Sequence, residues 1–228
     1  MRCSKGLMTG VVLTLTATAL AVQSNGKIVE KQTKRSFDAV VDGAEVGRTL
    51  TCTGVGCRKM TAFGVKIYAA AHWIDATGAV QALGSWTGRS PAQLAGDQSF
   101  YDAVASADFE KRIRLVFVHE ATGKQISEGF EDSLKISYRT LPPEAKEFLD
   151  MLNAKLKVGD AVEIRWLAGG TIEVYEKDKR IGVIEKNAKF AAAVWKMWFG
   201  EKLADGHLKT LKKELIGNIS AVWAAPPR

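Results

Sequence analysis

Apolar and polar positions alternate from Ser36 to Thr53 around Asp42-Gly43, a pattern that predicts two short strands joined by a turn. Residues 58–74 read as one long strand with small residues on one face, and Lys111 to His119, with Leu115 to Val118 contiguous, as a buried strand. Ser90-Pro91 opens a short helix as N-cap and first-turn pair, and a second helical stretch follows around Tyr101 to Ala107. Thr122-Gly-Lys-Gln125 has the spacing of a capping box, so a helix is expected to about Tyr138 with Ile126, Phe130 and Leu134 as its stripe. Pro142-Pro143 starts another, with Phe148, Met151, Leu152 and Leu156 on one face. Strands at 161–167 and 171–175 flank Ala168-Gly169-Gly170, a hairpin signal, and 179–185 adds a third. Asn187 caps a helix through Phe199 that is apolar almost all round, and a final amphipathic helix runs from Asp205 to Leu215.

Strands in antiparallel groups, with helices between and after them and no regular βαβ alternation, favour an α+β fold on an antiparallel sheet. The 228 residues, 46% hydrophobic and 25% charged, suffice for one domain with a proper core. Arg2 and Lys5 precede an apolar run from Gly6 to Leu20 that ends at Ala19-Leu20-Ala21, so residues 1–21 read as a secretory signal peptide. The expected organisation is then a linker over 22–35, a domain over 36–223 and a tail over 224–228. The mature chain is expected to be exported, in the periplasm if the source is a Gram-negative bacterium.

Removing residues 1–21 takes away two basic and no acidic side chains and lowers the formal charge from +7 to +5. The remaining clusters, Lys31 to Arg35 and Lys177 to Arg180, are short or broken by acids, which argues for solvated surface and against a nucleic-acid track. Cys52 and Cys57 flank Thr53-Gly54-Val55-Gly56, and two readings stay open: a disulfide across a tight turn, or two small buried apolar side chains. Gly54-Val55-Gly56 lacks the third glycine and the following helix of a nucleotide loop. His72, His119 and His207 share no metal-ligand spacing, and no hydrolase motif occurs, so neither a metal nor a cofactor is expected.

What stands out is a cation among greasy neighbours. Arg58 opens the small-residue strand that carries Tyr68, and equal parity puts the two side chains, with Met60 and Lys66, on one face. The bland alternative is a surface arginine at a strand end.

These residues resemble the chalcone isomerase superfamily, specifically its exported bacterial branch. Leu50-Thr-Cys-Thr-Gly-Val-Gly-Cys-Arg58 is similar to the family's Leu-x-Leu-x-Gly-x-Gly-x-Arg. The resemblance continues through Lys59 to Tyr68, Trp86 to Ser90, Phe100-Tyr101, Phe109 to Arg114, and the closing pair of helices from Asn187 to Lys209. It implies an open-faced β-sandwich, a long antiparallel sheet covered on one side by helices, with an apolar cleft between them. It also implies that Arg58 stabilises developing negative charge in ring-closing members, or holds a carboxylate together with a hydroxyl neighbour in fatty-acid-binding ones. A guanidinium fork suits both uses. The resemblance sets Ile126 where the isomerases carry a tyrosine, Ser133 where they carry asparagine and Met197 where they carry threonine or serine, while Thr61 keeps the active-site threonine. The loss of those polar groups favours holding a long apolar tail.

The leading expectation is therefore non-enzymatic binding of an apolar carboxylate such as a fatty acid. Arg58 would be the anchor, Tyr68 or Thr61 the hydrogen-bond donor, and Ile126, Phe130, Val194 and Met197 the apolar lining. The alternative is an intramolecular lyase acting on a chalcone-like enone, with Arg58 and Thr61 catalytic. A third is a ligandless scaffold or partner-binding protein. Arg48 is a rival for the anchoring role, and the anchor is expected to lack a partner in the empty protein, so that its removal would spare the fold.

Overall fold

A computed structural model describes residues 26–60 and 64–225. The expected signal peptide and Thr61 lie outside the described residues.

Seven strands form one antiparallel sheet in chain order: β3 (Val40–Asp42), β4 (Thr49–Met60), β5 (Val65–Asp75), β6 (Lys111–Phe117), β7 (Ala161–Leu167), β8 (Thr171–Glu176) and β9 (Lys179–Ile184). A separate two-stranded ribbon, β1 (Lys27–Val29) with β2 (Ser36–Asp38), precedes it. The expected linker over 22–35 thus holds a strand, one too short to carry an alternation signal. The helices are α1 (Ala76–Ala82), α2 (Pro91–Leu94), α3 (Gln98–Ser106), α4 (Gly123–Ser137), α5 (Pro143–Met151), α6 (Ala188–Phe199), α7 (Gly206–Glu214) and α8 (Ser220–Trp223). No helix among the described residues is long and apolar enough to cross a membrane.

Local chemistry fixes the helix starts. Ser90 with Gln93 and Thr122 with Gln125 form complete capping boxes, and Asn187 accepts from the Phe190 amide at 2.9 Å. The one long strand expected over 58–74 is instead the end of β4 and the whole of β5, which pair antiparallel. Gly64, at φ +67°, supplies the left-handed backbone that precedes β5.

The small side chains of β5 do not share one face. Ala70 faces the helix layer with Ile74, whereas Ala69 and Ala71 pack with Leu50, Cys52 and Trp73 beneath Ile28 and Phe37 of the ribbon. Here the sheet is covered on both sides, and small residues let both layers approach. Farther along the outer face the covering is electrostatic: buried Glu163 on β7 meets Arg112, Arg114 and Arg165 at 3.5, 3.1 and 2.6 Å.

Cys52 and Cys57 are free and buried, which closes the disulfide reading. The expected tight turn between them is the continuous strand β4. Five residues of strand at roughly 3.3 Å each keep their Cα atoms far beyond the roughly 7 Å that a bridge spans. Burial pushes the Cys52 thiol up to about 12 and the Cys57 thiol to about 11.

Candidate functional site

The site begins with a bulge. Cys52 pairs with Trp73 and Gly54 with His72, so Thr53 is the extra residue of β4. One extra residue exchanges the faces of everything beyond it. Leu50 and Cys52 lie under the ribbon, yet Gly54, Gly56 and Arg58, of the same parity, face the helices. Thr53 turns inward too, bonding the Leu215 carbonyl at 2.6 Å and His72 Nδ1 at 2.7 Å.

The two glycines are where α7 lies on the strand. A Cβ at Gly54 would come within 2.2 Å of the Glu214 carbonyl oxygen, and one at Gly56 within 2.7 Å of Leu211 Cδ1. Nine residues of helix cover about 13.5 Å and four residues of strand about 13 Å. With Glu214 set over the glycines, the start of α7 therefore falls at Arg58. There Asp205 caps the helix, its Oδ1 accepting from the amides of His207 at 2.8 Å and Leu208 at 3.2 Å.

Arg58 meets that cap. Its Nη1 donates to Asp205 Oδ1 at 3.0 Å and its Nη2 to Asp205 Oδ2, and Nη1 also donates to the Lys59 carbonyl at 2.5 Å. The arginine expected to be unpartnered is thus half of an ion pair, with 10% of its side chain exposed against 35% for Asp205. Burial alone would raise the Asp205 carboxyl, but the guanidinium and the two helix amides outweigh it and hold the group below its ordinary range.

Tyr68 is directly opposite Arg58 in the β4–β5 register, so the two share a face as neighbours across strands, not along one. The Trp198 indole N–H donates to the Tyr68 hydroxyl at 3.4 Å, and the phenol ring packs against Phe117 with centroids 5.7 Å apart. Burial raises the phenol's pKa, partly offset by Arg58 and Trp198.

These side chains line a cleft of about 1310 Å³ between strands β4 and β5, α4 and α6. Arg58, Tyr68, Ile126, Phe130 and Met197 all line it, together with Asp205. Val194 does not; it is a residue of α6 that is fully buried in the core. Ser133 also lines the cleft, but its hydroxyl donates to the Gly129 carbonyl of its own helix at 3.0 Å. Arg48 is elsewhere, paired with Glu45 at 2.7 Å and Asp75 at 3.4 Å. The rim carries both signs, Glu120, Glu128 and Glu201 with Lys202 and Lys209. Sequence reasoning read Asp205 only as a helix start and Trp198 only as core. Asp-Gly ahead of an amphipathic run announces a cap, and nothing in it announces the cation opposite. Among the described residues no group of three His, Cys, Asp or Glu is arranged to hold a metal.

A guanidinium, a phenol and a carboxylate in a cleft that also has apolar walls can bind a polar head while those walls take a tail. Comparison with known proteins agrees with that architecture. A family model described as chalcone isomerase-like matches residues 94–217. Chalcone isomerase-like protein 2 of Humulus lupulus is 35% identical over 71 residues, 31% of this chain and 34% of that protein. Chalcone–flavanone isomerase of Hordeum vulgare is 36% identical over 78 residues, 33% of this chain and 34% of that protein. The chain thus matches about a third of the length of these curated relatives. The crystal structure of a fatty-acid binding protein of Arabidopsis thaliana superposes with a TM-score of 0.69 at 20% identity, covering 87% of this chain and all of that one, a likeness of fold. With its seven-stranded antiparallel sheet under helices, and a family match over more than half its length, this chain belongs to the chalcone isomerase-like family.

Proposed function

We propose that the protein binds an apolar carboxylate, such as a fatty acid, in the cleft and releases it unchanged. The observation that carries this reading is a cleft whose lining sets the apolar Ile126, Phe130 and Met197 together with a guanidinium and a phenol, Arg58 and Tyr68. Its volume, about 1310 Å³, exceeds the roughly 300–1,000 Å³ of common small-molecule pockets and leaves room for a long tail. Catalysis of ring closure is less well supported, because it needs the reacting enone held in one orientation, and the walls at Ile126, Phe130 and Met197 offer no polar group to orient it. It remains the second reading, favoured by the partial likeness to a chalcone–flavanone isomerase.

Native mass spectrometry with lipid extraction of the purified protein, run beside a spectroscopic chalcone-cyclisation assay, separates the readings. Copurified or added fatty acid held at one equivalent without cyclisation is the expected result. Cyclisation without retained fatty acid would replace binding by catalysis, and neither would leave a scaffold. We propose further that the protein acts after export, in a periplasm where one exists. An N-terminus of the mature chain near residue 22, found by terminal sequencing, is the expected result.

A further inference from the structure

We propose that Asp205 is a built-in competitor for the head-group site, a residue that sets how strongly the cleft discriminates for a carboxylate. The inference rests on the binding reading and adds a residue to it. Asp205 takes both terminal nitrogens of Arg58, one to each carboxylate oxygen, which is the pairing an incoming carboxylate would make. A ligand carboxylate must therefore displace Asp205, or approach the remaining edge of a cation whose charge is already balanced. Either route weakens binding of an anion and leaves binding of a neutral head of the same length almost untouched.

Asp205 is suited to yield. Its Oδ1 holds the His207 and Leu208 amides independently of Arg58, so α7 keeps its cap when the guanidinium turns to a ligand. Its side chain is 35% exposed against 10% for Arg58, so it is the partner that more readily takes up water. The consequence is an empty site without a lone buried cation, and a bound acid that can leave.

The test compares dodecanoate with 1-dodecanol, titrated calorimetrically into delipidated parent and Asp205→Asn protein. Asparagine still caps the helix and removes the charge. The variant is expected to bind dodecanoate about tenfold more tightly or better, a gain in the range of a charge-assisted hydrogen bond. Its affinity for dodecanol should change by less than about threefold. Adding Arg58→Ala to Asp205→Asn should abolish the gain. Asp205→Ser, a second neutral cap, must shift the acid-to-alcohol ratio the same way and guards against a folding defect in one variant. Parent and both variants with the same acid-to-alcohol ratio would overturn the role of Asp205 and leave the binding reading standing. Failure of all three proteins to bind either compound would overturn the binding reading, and this proposal with it.

Discussion

At the scale of single residues, the partner of Arg58 decides what its removal does. An unpartnered cation would be dispensable to the fold, but the structure gives it Asp205, and breaking a partly buried pair leaves a carboxylate without its counter-charge. Arg58→Ala is therefore expected to lower stability by about 1–2 kcal/mol, short of the full cost of a buried pair because Asp205 still reaches water. The same change should weaken fatty-acid binding by about 1.5–3 kcal/mol. Arg58→Lys should recover part of each loss, since an ammonium cannot engage both carboxylate oxygens as a planar fork. Urea titrations and ligand titrations of the three proteins measure these separately. An Arg58→Ala protein as stable as the parent would show the ion pair contributes nothing. The same substitution at Arg48, outside the cleft, should leave binding as it was.

At the scale of elements, most of the chain was legible, and the exceptions have causes. The three C-terminal strands, the capped helices α4 and α6 and the α+β class follow from periodicity and from side chains that satisfy their own helix starts. The β4–β5 hairpin hid because Thr61 to Gly64 has none of the common turn dipeptides, so two strands read as one. Helix α1 hid because Ala-Thr-Gly-Ala-Val is poor helix sequence, held by the Asp75 cap and by packing. The bulge at Thr53 was the consequential miss. Parity alone puts Arg58 on the same face as Cys52, and only one extra residue brings it under α7. Gly54-Val55-Gly56 was correctly refused as a nucleotide loop, but its use, a bed for a helix, needs the helix to be seen. Gly54→Ala is expected to destabilise by about 1–3 kcal/mol, because backbone of α7 blocks the new methyl. Gly96→Ala, with open space at its Cβ, is the matched control and should leave thermal stability and binding near parent values. Equal melting temperatures for the two variants would refute the close-packing argument.

At the scale of the molecule, the sheet and the helix layer meet at a buried histidine. His72 on β5 accepts from the Trp195 indole of α6 at 3.1 Å through Nε2, which leaves its proton on Nδ1, toward Thr53 Oγ1 at 2.7 Å. Thr53 in turn donates to the Leu215 carbonyl, where α7 ends, so one neutral imidazole links the bulge, a buried helix and the helix that carries Asp205. Protonation would give Nε2 a hydrogen facing an indole N–H in a site with no water access. Burial, with a smaller contribution from the charge of Lys111, lowers the His72 pKa to about 3 from the model-peptide value of 6.5. Below about pH 6.5 the unfolded chain takes up a proton that the native chain refuses, so stability falls as pH falls, by at most about 1.4 kcal/mol per pH unit, until the native group itself titrates. Between about pH 6.5 and about pH 5 this histidine is expected to dominate the acid limb, because the carboxylates titrate mainly lower. His72→Gln keeps a donor and an acceptor but has no proton to gain. Its unfolding free energy, lower than the parent's at neutral pH, should lose this contribution to the slope over that window. Chemical denaturation at several pH values reads both slopes, and a variant that falls as steeply as the parent would remove His72 as the origin of acid sensitivity.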